Sequence, residues 1–123
     1  MSKRVLVAED DSAIRNLLLR VLGRAGFDIE AVTNGRDAIA HLTVQPYDAV
    51  VLDLMMPEAS GFEVLAWIRR EKREVGKKLV VVTAAADRDT RQIAEGDVFA
   101  IIRKPFDIAD LVTCVRSAAE NAA

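Results

Sequence analysis

The sequence predicts an α/β fold: a doubly wound, five-stranded parallel sheet with five helices. Three observations predict it. Short continuous apolar runs recur, such as Val5-Leu6-Val7-Ala8, Ala49-Val50-Val51-Leu52 and Leu79-Val80-Val81-Val82. Runs of that length without polar alternation suit strands buried on both faces. Segments with helical spacing separate them, and a strand-helix alternation implies a parallel sheet covered on both sides. The chain of 123 residues fits one domain spanning 1–123.

Taken in order, the first strand is Val5 to Ala8. Asp11 or Ser12 then serves as a helix cap, because a short side-chain oxygen can accept the unpaired N–H groups of a first turn. Ile14, Leu17, Leu18, Val21 and Leu22 share one helix face, and Gly26 is placed to stop that helix. Ile29 to Val32 is a weaker strand. Ala38, Ile39 and Leu42 mark a short second helix bounded by Pro46. After the strand Ala49 to Leu52, Ser60-Gly61 opens a third helix carrying Val64, Leu65 and Ile68. The mixed-sign run Arg69 to Glu74 suits its solvated end. The stretch from Asp87 to Gly96 is the poorest helix, with Ile93 and Ala94 set against Asp87, Arg88, Asp89, Arg91 and Glu95. Weak anchoring makes it the easiest element to move. Val98 to Ile102 is the fifth strand. Ile108, Leu111, Val112 and Val115 form the stripe of the last helix, with fraying expected from Glu120 to Ala123.

Bulk properties narrow the function. Hydrophobic residues make up 51% and charged residues 29%, with a net charge of −2, which leaves no electrostatic footprint for nucleic acid. The single cysteine, Cys114, excludes an internal disulfide framework and suits a reducing compartment. The start, Met1-Ser2-Lys3-Arg4, leads straight into the first strand pattern, without the apolar region of a secretory signal. The apolar runs are far shorter than the roughly 20 residues of a membrane span. The expected location is cytoplasmic.

The chemistry collects where the strands end. Glu9, Asp10 and Asp11 follow the first strand, Asp53 the third, Thr83 the fourth and Lys104 the fifth. In a parallel sheet these positions share the carboxyl edge, where open α/β sheets bind ligands. Clustered carboxylates repel, and one must protonate unless a cation is present. Hard oxygen ligands in a small site suit Mg²⁺. A carboxylate beside that ion can attack a phosphoryl donor, with Lys104 and the Thr83 hydroxyl supplying donors to the transferring oxygens. Taken alone, Asp11, Thr83 and Lys104 each have an ordinary structural explanation. Asp53 does not, since a carboxylate directly after a buried apolar run is costly without a partner.

These residues resemble the response-regulator receiver family over essentially the whole chain. The matching segments are Val5-Leu6-Val7-Ala8-Glu9-Asp10-Asp11, Asp48 to Pro57, Val81-Val82-Thr83-Ala84 and Arg103-Lys104-Pro105-Phe106. The resemblance implies a flavodoxin-like sheet in the order 2-1-3-4-5. It implies that Asp53 is the phosphoacceptor. Asp10 would be a direct Mg²⁺ ligand, Glu9 a ligand through water, and the backbone carbonyl of Met55 a further ligand. Thr83 would be the switch hydroxyl, small Ala84 would leave the donor room, and Lys104 would pair with the phosphoryl oxygens. The Lys104–Pro105 bond would be cis. The family often carries an aromatic residue three positions before the lysine; here Ile101 stands there, with Phe99 on the same strand face.

The implied function is acceptance of a phosphoryl group from a histidine kinase or phosphotransfer protein. The event would switch a surface around the fourth helix, fifth strand and fifth helix. Its output would pass to an effector protein or to a domain outside these residues, with no direct nucleic acid or membrane binding. The domain would assist its own phosphorylation and dephosphorylation without being a multiple-turnover enzyme. An Asp-nucleophile phosphatase is the competing enzyme reading. It typically needs a second acid two residues after the nucleophile, where this chain has Met55. A non-phosphorylated interaction module is the other alternative, and retention of the acidic pair, Thr83 and Lys104 argues against it. His41 reads as a helix-face residue, and Cys114 and Trp67 as packing residues.

Overall fold

Period-2 alternation along the central strands sorts the core into two layers, and the computed structural model, which describes residues 2–94 and 96–121, shows both. Five parallel strands are ordered β2-β1-β3-β4-β5: β1 Arg4–Ala8, β2 Asp28–Val32, β3 Ala49–Leu52, β4 Leu79–Thr83 and β5 Ala100–Arg103. One face carries Leu6, Ala8, Val50, Leu52 and Val81. It packs on Ala38 and Leu42 of α2 (Gly35–Val44) and on Val64, Leu65 and Ile68 of α3 (Gly61–Glu71). The other carries Val5, Val7, Ala49, Val51, Val80 and Val82. It packs on Leu18 and Leu22 of α1 (Ser12–Arg24) and on Leu111, Val115 and Ala118 of α5 (Ile108–Glu120).

Local chemistry sets the helix ends. Asp11 is the N-cap of α1 and accepts from Ile14 N at 3.0 Å. Gly26 follows α1 at φ 98, where a Cβ would be strained. There Phe27 N donates to Leu22 O and Gly26 N to Gly23 O, so the last carbonyls are satisfied by a Schellman turn. Ser60 and Asn34 cap α3 and α2 in the same side-chain manner. Asp107 caps α5 by accepting from Ala109 N at 2.8 Å and Asp110 N at 3.3 Å. Asp107→Ala is therefore expected to lower stability by about 1 kcal/mol in urea unfolding. An unchanged midpoint would show that the cap contributes nothing.

The fourth helix corrects the expectation. Instead of running from Asp87 to Gly96, α4 is a single turn, Asp87–Thr90, followed by turns, and β5 starts at Ala100 rather than Val98. The segment buries too little apolar surface to repay helix nucleation, and Ala86 at its start offers no side-chain cap. Glu95, part of that expectation, lies outside the described residues, as do Ala122 and Ala123 of the expected frayed end. A 3₁₀ helix over Arg73–Lys78, not legible in the sequence, leads into β4. Among the described residues no helix is long and apolar enough to cross a membrane.

Candidate functional site

Strand register builds the site. Ala8 lies opposite Leu52 in the β1–β3 pair, so Glu9 and Asp53 leave the sheet side by side. Backbone hydrogen bonds extend past the strand ends: Asp53 N donates to Ala8 O at 3.0 Å, and Glu9 N to Val32 O at 3.1 Å. Likewise Lys104 N donates to Thr83 O at 3.0 Å, which fixes the end of β5 against β4.

At this edge one carboxylate oxygen each from Glu9, Asp10 and Asp53 lies within 4.8 Å of the others. Glu9 is 1% and Asp53 4% exposed, whereas Asp10 faces solvent. Lys104 Nζ donates to Glu9 Oε1 at 2.7 Å and to Asp53 Oδ2 at 3.3 Å. One ammonium is thus bonded to two of the three clustered carboxylates. Burial pushes the Glu9 carboxyl up from 4.5 to about 7, and the neighbouring Asp53 adds to this; Lys104 and the Asp11 N–H offset only part. For Lys104 burial alone would lower the pKa, but its bonds to Glu9 and Asp53 hold it above the usual lysine value. The negative excess and the all-oxygen donor set fit a hard divalent cation.

Surrounding groups hold this arrangement. Arg15 Nη1 donates to the carbonyls of both Glu9 and Asp10 at 3.2 Å. Asp11 N donates to Glu9 Oε2 at 3.2 Å, and Met55 N to Asp53 Oδ1 at 3.1 Å. Met55 is 60% exposed, while its neighbours Leu54 and Met56 are buried and anchor the loop. Farther along, Glu58 and Ala59 both take positive φ, 47 and 72, a strained pair of the sort that clusters at functional sites. Neither this turn nor the role of Arg15 was visible in the sequence, where Arg15 is merely a polar residue beside Ile14.

Thr83 is fully buried, and its Oγ1 accepts from Ala85 N at 3.0 Å. Among the described residues it makes no hydrogen bond to Asp53, Glu9 or Lys104. Ala84 is exposed beside it. Phe99 and Ile101 are 36% and 37% exposed, Phe99 just ahead of β5 and Ile101 on it. The Lys104–Pro105 bond is cis. His41 on α2 contacts Asp37 O and Glu30 rather than any of the acidic group. Cys114 and Trp67 pack against the two halves of the core.

Residues 5–116 match the response regulator receiver domain. The chain belongs to that family. The receiver domain is 36% identical over 115 residues to the transcriptional regulatory protein TcrA of Mycobacterium tuberculosis, covering 93% of this chain and 45% of that protein. It is also 36% identical over 120 residues to the response regulator MprA of Mycolicibacterium vanbaalenii, covering 95% of this chain and 50% of MprA. It thus spans about half the length of these relatives. Among solved structures, the response regulator TrrA of Thermotoga maritima in complex with Mg²⁺-BeF superposes with a TM-score of 0.83 at 30% identity, covering 94% of this chain and 98% of that one. A receiver domain of Methanospirillum hungatei described as CheY-like superposes at 0.87 with 21% identity, over 98% and 95% of the two chains, and bears on the fold alone. The chain is thus a receiver domain of the kind found in two-component response regulators.

Proposed function

We propose that this receiver accepts a phosphoryl group on Asp53 in a Mg²⁺-dependent transfer from a histidine kinase or phosphotransfer protein. The observation that carries this reading is the meeting of the Glu9, Asp10 and Asp53 carboxylates with Lys104 in one pocket. Glu9, Asp10, Asp53 and the backbone carbonyl of Met55 would hold the ion, which would supply positive charge to the phosphoryl oxygens. Support also comes from the similarity to TrrA, whose structure contains Mg²⁺-BeF.

An Asp53 oxygen attacks phosphorus, an O–P bond forms, and the P–N bond to the donor imidazole breaks. Lys104 pairs with the phosphoryl oxygens, and the Thr83 hydroxyl donates to them. Exposed Ala84 leaves the donor room. Water later cleaves the acyl phosphate and restores Asp53, so the domain assists its own chemistry without acting as a turnover enzyme. The added charge shifts the population of conformations around α4, β5 and α5, and an effector protein or attached domain reads the change. We place this function in the cytoplasm, consistent with a lone, half-buried Cys114.

Incubation with Mg²⁺ and acetyl phosphate is expected to add the mass of one phosphoryl group. Asp53→Asn should take up none, and neither should the wild type in EDTA. Absence of an adduct on the wild type with acetyl phosphate, phosphoramidate and a phosphorylated kinase would overturn the proposal, as would an adduct that persists in Asp53→Asn.

A further inference from the structure

Arg103 and Lys104 are consecutive, yet their side chains go to different partners. Lys104 enters the acidic pocket. Arg103 reaches to the connection between β4 and α4. Its Nη1 donates to Ala85 O at 2.7 Å, and its Nη2 donates to Thr90 Oγ1 at 2.5 Å and lies 2.6 Å from Asp87 Oδ1. The ion pair with Asp87, whose side chain is 81% exposed, is screened by solvent and holds little by itself. The charge-assisted bonds to Ala85 O and to Thr90, which is only 5% exposed, hold more.

Ala85 links this clamp to the site. It is 6% exposed, and both its peptide groups are fastened. Its N–H is bonded to Thr83 Oγ1, and its carbonyl to Arg103. The β4–β5 pairing sets Thr83 opposite Arg103. The single turn of α4 has no side-chain N-cap; within it Thr90 Oγ1 donates to Asp87 O at 3.1 Å, and Arg103 adds the cross-links that tie the turn to β5.

We infer that Arg103 is a positioning residue that fastens the β4–α4 connection, keeps Thr83 in its resting place, and so opposes acceptance of the phosphoryl group on Asp53. This rests on the reading of Thr83 as the hydroxyl that meets the phosphoryl oxygens. To turn toward them, Thr83 must either release Ala85 N or carry Ala85 along. Ala85 cannot follow without breaking the Arg103 bond to its carbonyl. The resting arrangement is therefore favoured by whatever Arg103 contributes, and its loss moves the balance toward the phosphoryl-binding form.

The test uses the whole chain and two probes: Mg²⁺ alone, and beryllofluoride added with Mg²⁺ as a phosphoryl mimic. Arg103→Met removes the donors but keeps an apolar stem. It is expected to bind Mg²⁺ as the wild type does, while binding beryllofluoride about fivefold more tightly and reacting faster with acetyl phosphate. Arg103→Lys, with charge but fewer donors, should fall between them. A merely architectural role would lower the melting temperature without changing the ratio of the two affinities, and that result would overturn the inference, as would weaker beryllofluoride binding. If Arg103→Met does not fold, Thr90→Val, which deletes one anchor, must show the same change in ratio on a smaller scale, and an unchanged ratio there also overturns it. A wild type that binds no beryllofluoride at all would instead refute the proposed function. A wild type that binds it equally with Arg103→Met refutes only the positioning role.

Discussion

Gly61→Ala is expected to destabilise the receiver by about 3 kcal/mol and to weaken divalent-ion binding at the same time. A Cβ at Gly61 would lie 2.3 Å from Asp53 O, 2.4 Å from Leu54 Cα and 2.9 Å from Asp53 C. These are backbone atoms, so no side chain can rotate away, and either the start of α3 or the Asp53 backbone must shift. That places the cost at the upper end of ordinary overpacking. The crowded backbone belongs to Asp53, whose carboxylate is one of the acidic group, so the same displacement moves that carboxylate. Gly23→Ala is the matched control. Nothing lies within 4 Å of its Cβ position near the exposed end of α1, and helix propensity predicts a gain of about 0.5 kcal/mol. Urea unfolding and Mg²⁺ titration of both variants decide the matter. Equal stabilities would show that the close approach of α3 to β3 is dispensable.

Without a divalent ion, stability is expected to fall as pH rises from about 4.5 to about 7, by on the order of 3 kcal/mol from Glu9 alone. The unfolded chain releases this proton near 4.5, whereas the folded chain keeps it until about 7. Between those values the folded state binds more protons, so each rise in pH favours unfolding. A carboxylate held below its usual value would give the opposite slope. Mg²⁺ should act in the reverse sense, because it favours the ionised carboxylates and binds the folded state. At pH 7.5 it is expected to raise the melting temperature, with a smaller rise in Glu9→Gln and Asp53→Asn. Glu9→Gln should also flatten the metal-free pH slope. If wild type and Glu9→Gln show the same slope, burial of Glu9 does not govern the titration.

The architecture was legible because strand and helix periods are local. The runs at Val5, Ala49 and Leu79 became the three central strands, and the stripes of α1 and α5 cover one face. The meeting of Glu9, Asp10, Asp53 and Lys104 was legible as well, since residues that follow parallel strands must share an edge. Their roles are what the acetyl phosphate experiment tests. The fourth helix is shorter than its sequence suggests because its polar pattern admits both a short helix and a loop. Ile93 as its partly buried anchor does not decide between them.

By itself, then, the sequence determined the alternation of strands and helices and the edge at which the charged groups gather, because both follow from spacing along the chain, while its resemblance to the receiver family implied the strand order. Only the tertiary structure decided that Arg103 clamps Ala85 and Thr90, that Arg15 holds the carbonyls beside the acidic pair, and that the turn at Glu58 and Ala59 is left-handed. A long polar side chain has many partners within reach of a given register, and which one it takes depends on the packing of elements distant in sequence.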